Sequence, residues 1–137
     1  MSEGKKQIDV AAALILRAGK ILIAQRHEDS HLGGFWEFPG GKREPNETFE
    51  ACLVREIREE LGVEISVGKL LSEITHDYTD KTVSLKFFIC RLIRSEPQAL
   101  GCKALKWVGE SELNNHEFLP ADARLIRELK TSPDFPD

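Results

Sequence analysis

GGKREPNETFEACLVREIREELGV, residues 40–63, is the stretch that decides how the chain is read. Asn46 and Thr48 each offer a side-chain oxygen to cap a helix N-terminus, and Gly62 supplies a stop. The spacing predicts a helix to about Leu61 with one apolar face. At about 100° per residue from Phe49, the residues Cys52, Leu53, Ile57, Leu61 and Val54 fall between about −60° and +140°. Arg55 and Arg58 project at about 240° and 180°, where solvated charges belong. Glu56 and Glu60 project at about −20° and +20°, inside the apolar arc, and Glu59 at its edge near −80°.

Charge runs on helices are most often solvated faces, and this one fits that description poorly. Glu56, Glu59 and Glu60 sit in the last turns, where the helix dipole is negative and an exposed carboxylate costs roughly 0.3–1 kcal/mol. At i, i+3 and i+4 spacing they also repel one another. Three crowded, partly desolvated carboxylates call for a cation, and an all-oxygen set selects a hard one, Mg2+ or Mn2+, over zinc. Gly40 and Gly41 ahead of the helix let backbone approach a ligand closely. Arg26, His31 and Lys42 are candidates for contacts to phosphate oxygens.

Outward from this stretch, strands and helices intermix. Ile8–Leu16 and Lys20–Gln25 read as a hairpin around Arg17–Gly19. A loop runs from Arg26 to Gly34, and Phe35–Phe38 is a short aromatic strand ended by Pro39-Gly40-Gly41. Val63–Thr75 and Thr82–Ile93 read as strands joined by His76–Lys81, and Leu105–Val108 as another. Glu110–Leu113 reads as a helical turn, and Pro120 opens a last helix over Ala121–Lys130. The expected fold class is α/β (α+β): one domain over residues 1–137 around a mixed sheet, with 1–7 and 131–137 as frayed tails.

The 137 residues carry 19 Lys and Arg against 23 Asp and Glu, a formal charge of −4. The acidic balance argues against a partner that is polymeric nucleic acid. Hydrophobic content of 41% with 31% charged residues suits a folded globular chain rather than a disordered one. Cys52, Cys90 and Cys102 are odd in number and lack metal-site spacing, which fits buried thiols in a reducing compartment. Val10–Leu16, the longest clean apolar run, is far short of the ~20 residues a membrane span needs. The expectation is a cytoplasmic protein without a membrane partner, a monomer or weak homodimer.

Gly41, five residues, Glu47, seven residues, then Arg55-Glu56-Ile57-Arg58-Glu59-Glu60-Leu61-Gly62-Val63 resembles a complete Nudix box, GX5EX7REUXEEXGU with U apolar. Phe35-Trp36-Glu37-Phe38-Pro39-Gly40-Gly41-Lys42 resembles the lead-in of the MutT-type branch, and Phe118-Leu119-Pro120-Ala121-Asp122 that branch's base-reading segment. The resemblance spans Ile8 to about Lys130. It implies a Nudix fold, an α/β/α sandwich around a mixed sheet. It also implies a Mg2+-dependent pyrophosphohydrolase that converts a nucleoside triphosphate, oxidised or otherwise modified such as 8-oxo-dGTP, to monophosphate and pyrophosphate. Close relatives sanitise the nucleotide pool or act on CTP.

By the same resemblance Glu56, Glu59 and Glu60 hold divalent ions together with the Gly40 carbonyl. Glu56 also orients or deprotonates the attacking water, and Glu47 pairs with Arg55 to buttress loop and helix. Arg26 and Lys42 contact phosphates, His31 and Glu37 lie near the nucleotide, and Tyr78 is a candidate stacking ring. There are two departures. Many relatives have a Glu six residues before the late-strand Trp, where this chain has Gly101. Some purine-specific members have Asn where Asp122 stands. An Asp accepts hydrogen bonds when ionised and donates one only when protonated.

Other readings compete. A Nudix hydrolase of ADP-ribose is weakened by Thr79, where such members tend to have Pro; one acting on dinucleoside polyphosphates keeps some support from Tyr78. RNA-directed activity would want a basic groove. A non-catalytic nucleotide-binding module conflicts with the full glutamate set, and an interaction domain with an accidentally acidic helix conflicts with the projection.

Overall fold

The computed structural model describes residues 5–129. Its elements in chain order are β1 (Lys6–Arg17), β2 (Lys20–Gln25), β3 (Trp36–Glu37), β4 (Gly40–Lys42), α1 (Phe49–Leu61), β5 (Glu64–Asp77), β6 (Lys81–Arg94), β7 (Ala104–Val108), a 3-10 turn (Glu110–Asn115) and α2 (Pro120–Leu129). Strand β1 starts two residues earlier than the Ile8 expected from sequence, so Lys6 and Gln7 belong to the sheet and not to a tail. Residues 1–4 and 131–137 of the expected tails, and Lys130 of the expected last helix, lie outside the described residues.

Seven strands form one mixed sheet in the order β3-β2-β1-β6-β5, with β4 paired to β1 and β7 to β2. β1 runs parallel to β6 from Lys6↔Lys81 to Ile15↔Cys90, and this is the spine. The other pairs, β1–β2, β1–β4, β2–β3, β2–β7 and β5–β6, are antiparallel.

The apolar run in β1 follows from this geometry. Ala11, Ala13 and Ile15 face one way and pack with Cys52, Leu53, Ile57 and Leu61 of α1. Ala12, Leu14 and Leu16 face the other way and pack with Leu125, Ile126 and Leu129 of α2 and with Phe38 and Phe87. A strand covered on both faces reads as a continuous hydrophobic stretch, not an alternating one. The fold is thus an α/β/α sandwich, with α1 on one face of the mixed sheet and α2 on the other.

Strand β4 departs from expectation: Gly40-Gly41 continues into the sheet instead of ending a strand. Ala12↔Gly40, Ala11↔Gly41 and Val10↔Lys42 are its pairs. Three residues, two of them glycine, carry no alternation from which a strand can be read. The pairing seats the Gly-Gly backbone against the centre of the sheet, directly ahead of α1.

Of the two cap candidates Thr48 serves: its hydroxyl accepts the Ala51 N–H at 3.0 Å. Gly62 ends the helix in the left-handed conformation, φ 68°, donating its N–H to the Arg58 carbonyl. Replacing Thr48 with Ala should lower unfolding free energy by about 1 kcal/mol, read as a fall in the urea midpoint at unchanged slope. No shift in midpoint would show that the cap contributes nothing.

Candidate active site

Arg55 organises the carboxylates of α1. Its Nη2 and Nε donate to the two carboxylate oxygens of Glu47 at 2.6 and 3.1 Å, a bidentate fork. Its Nη1 donates to Glu56 at 2.7 Å and to Glu59 at 3.4 Å, and Nη2 also reaches the Lys42 carbonyl at 3.1 Å. The solvated position expected for Arg55 is therefore not adopted. The side chain is only 25% exposed because it folds back over the loop to meet Glu47. Arg58 does stay on the solvent side, paired with Glu64 at the far end of the helix.

Glu47 accepts the Glu44 N–H at 2.9 Å as well. Arg55, followed by that amide, holds its carboxyl down to about 2. The expected Glu47–Arg55 buttress is present, and it ties the loop before α1 to the middle of the helix.

Glu56 lies under the Gly-Gly strand. A Cβ on Gly41 would overlap the Glu56 carboxylate, so glycine is required there for the two to meet. Glu60 is partly buried. Burial first, then repulsion from Glu56 and Glu37, pushes its carboxyl up to about 8, and a hydrogen bond from the Gly40 backbone opposes the shift. Glu59 is different, with its side chain 61% exposed. Glu56 and Glu60 thus lie inward and Glu59 at the rim, in the order of the helical projection. Among the described residues no three His, Cys, Asp or Glu side chains already converge as a metal cluster. Arg55 supplies the countercharge for Glu56 and Glu59 instead.

A cavity of about 580 Å³ opens beside this cluster. Gly40, Gly41, Lys42 and Glu60 line it, as do Asp122 and Leu119–Ala121. Arg26, His31, Glu37 and Tyr78, all expected near a substrate, line it too. Glu56, Glu59, Glu47 and Arg55 are not among its lining residues; they stand behind Gly41 and at the rim. Sequence reasoning missed Asp80 and Lys81 at the β5–β6 turn and the apolar wall of Val10, Val83 and Leu85. That wall follows from the parallel β1–β6 pairing, which joins residues more than seventy positions apart and leaves no local signal.

Arg26, Glu37 and Tyr78 are held by identifiable contacts. Arg26 donates to the His31 carbonyl at 2.8 Å and pairs with Glu37 at 3.4 Å. Burial raises the Glu37 carboxyl, and Arg26 opposes the rise. Tyr78 is exposed at the mouth, with its ring 4.6 Å from His76 and Lys81 5.2 Å from its centroid.

Asp122 is the only buried charged residue among those described. Its Oδ1 accepts the Phe38 N–H at 3.2 Å. Burial chiefly, and then Glu37, pushes its carboxyl up to about 8. Burial thus favours its neutral form, which has a donor and an acceptor to offer. The segment that carries it is fixed to β3 by Trp36 N–H to Glu117 O at 2.7 Å and Leu119 N–H to Trp36 O at 3.1 Å.

Residues 11–128 match the family described as NUDIX domain. The chain is 40% identical over 121 residues to the CTP pyrophosphohydrolase of Escherichia coli K12, covering 88% of this chain and 90% of that one. It is 46% identical over 86 residues to an 8-oxo-dGTP diphosphatase of Proteus vulgaris, covering 62% and 77%. The solution structure of the E. coli ORF135 protein superposes with a TM-score of 0.82 at 36% identity, over 96% of each chain.

The chain belongs to the Nudix family.

Nudix hydrolases generally need a divalent cation, and the residues present fit one. The donor set is all oxygen, as hard cations require. Glu60 is pushed up in pKa because carboxylates crowd a site that burial has stripped of water, a repulsion that a divalent ion would relieve. Arg55 holds Glu56 and Glu59 by ion pairs. A bound ion would compete with Arg55 for Glu56 and Glu59.

Proposed function

We propose that the chain hydrolyses nucleoside triphosphates to monophosphate and pyrophosphate, with Mg2+ as cofactor and Mn2+ as a substitute. In this reading oxidised or modified nucleotides such as 8-oxo-dGTP are the substrates, and the role is sanitising the nucleotide pool. One observation carries it: Glu60, Gly40, Gly41 and the buried Asp122 line one and the same cavity, so one molecule can contact them all. The 8-oxo-dGTP diphosphatase and CTP pyrophosphohydrolase among its relatives support the same reaction class.

In this reading Glu56, Glu59, Glu60 and the Gly40 carbonyl hold the cation. Bound Mg2+ would neutralise phosphate oxygens and lower the pKa of water at the site. Glu56 orients or takes the proton of the attacking water. Glu47 and Arg55 hold the helix and loop in register for that step. Arg26 and Lys42 hold phosphate oxygens, and His31 and Tyr78 close over the nucleotide at the mouth. Glu37 and Asp122 face the base. A protonated Asp122 can donate to a ring nitrogen or carbonyl and accept from an exocyclic amine. That pattern also suits cytosine, so CTP or dCTP is the second reading, backed by the 40% identity to a CTP pyrophosphohydrolase.

We further infer that residues 1–137 work as one domain, as a monomer or weak homodimer, in the cytoplasm. Three buried free thiols suit a reducing compartment. No helix of the described residues is long and apolar enough to cross a membrane.

A panel of normal and oxidised nucleoside triphosphates with Mg2+, with products separated by ion exchange, tests the proposal. Monophosphate and pyrophosphate from one preferred base are expected. Cleavage of ADP-ribose or a dinucleoside polyphosphate with the triphosphates left intact would overturn it.

A further inference from the structure

The segment between β6 and β7 binds the end of α1 through its backbone. Gln98 donates its N–H to the Leu61 carbonyl at 2.9 Å. Leu100 and Gly101 both donate to the Glu60 carbonyl, at 3.0 and 3.1 Å. The last carbonyls of a helix have no partner within it, and here the loop supplies three donors. Two of them converge on Glu60, which is partly buried. The loop then goes on to Lys103, whose N–H donates to the Gln25 carbonyl at 2.8 Å and whose side chain pairs with Glu28. It therefore spans from the carboxylate end of α1 to the start of the loop that bears Arg26 and His31.

Gly101 is where this strap presses closest. Its φ lies outside the left-handed region, so the backbone there admits any residue. A side chain there would instead be crowded against Glu60. A Cβ at 101 would stand 3.3 Å from Cγ and 3.4 Å from Cα of Glu60. Contacts that tight force the neighbour to yield by a few tenths of an ångström, and the neighbour is the stem of the Glu60 carboxylate.

We propose that Gly101 and the Gln98–Gly101 backbone form a clamp that positions Glu60 for cation binding, so that residue 101 tunes metal affinity without contacting the metal. The inference rests on the metal role given to Glu60 under the proposed function. Groups that orient a ligand from behind typically change metal affinity by 10–100-fold when altered.

Manganese binding followed by electron paramagnetic resonance tests this independently of turnover. In Gly101→Val the dissociation constant for Mn2+ should rise by roughly tenfold while the helical circular dichroism signal stays at the wild-type value. Gly101→Ala, which adds one carbon, should show a smaller rise in the same direction and covers the case in which the valine variant does not fold. An unchanged Mn2+ affinity in the folded variants, with wild type binding normally, would overturn the clamp alone. Wild-type protein that binds no Mn2+ would overturn the metal role of Glu60 and the clamp with it.

Discussion

Glu60→Gln is expected to make the metal-free protein more stable and the enzyme nearly inactive. The two effects share one cause. Glu60 is held among Glu56, Glu37 and Glu59 in a partly buried position, and its carboxyl is pushed up to about 8 from an ordinary 4.5. A raised carboxyl favours the folded state fully below the unfolded value, and that contribution fades as pH rises from about 4.5 through about 8. In chelator-treated buffer, wild type and variant should therefore match near the acid end. Wild type should fall behind as pH climbs, by an amount on the order of a few kcal/mol at most. Activity should move the other way, dropping by about 10²–10⁴-fold, because the neutral amide can neither neutralise nor attract a divalent ion. Thermal melts across pH with chelator, paired with turnover in Mg2+, read both. A variant with near-normal turnover, or one less stable than wild type at pH 8, contradicts the assignment. Trading stability for function in this way is common where a site is built of like charges.

Arg55→Ala should have the second-largest effect, with loss of both stability and turnover. The guanidinium is shared by Glu47, Glu56, Glu59 and the Lys42 carbonyl, so its removal leaves three carboxylates facing one another around the Gly-Gly strand. Glu47, held down to about 2, favours the folded state above its ordinary value near 4.5 and loses that contribution as pH falls toward 2. The stability gap between wild type and Arg55→Ala should accordingly be widest at neutral pH and close through the acid range. Turnover should fall by roughly 10²-fold through loss of positioning. Arg55→Lys should recover little of it, because an ammonium cannot reproduce the bidentate fork to Glu47. Full rescue by lysine would show that Arg55 acts as bare charge. A gap independent of pH would show that Glu47 is not its principal partner.

Local features were legible before the structure. The helix running to Leu61, a cap at Asn46 or Thr48, the Gly62 stop, and the inward lean of Glu56 and Glu60 all follow from spacing within two dozen residues. The helical period carried that information. Less legible was whatever depended on pairing across the chain. The partnership of β1 with β6 joins Lys6 to Lys81, and β4 is a strand only because β1 lies beside it. The apolar wall of the cavity, and Asp80 and Lys81 at its mouth, follow from that pairing. The projection alone put Arg55 on the solvent side, whereas the resemblance paired it with Glu47, as the structure does. Helical projection gives the direction of Cβ, but a long side chain can turn back toward a carboxylate eight residues earlier. Asp122 was read from its neighbours in sequence. Its burial, and the Phe38 amide that holds it, came from tertiary packing.

The central claim is that the α1 carboxylates form a divalent-cation site. The direct measurement is a calorimetric titration with Mg2+ at pH 8 of wild type and of the Glu56→Gln/Glu60→Gln double variant, both checked for intact helix by circular dichroism. Saturable binding to wild type and none to the folded double variant is the predicted result. Equal binding by the two proteins would contradict it.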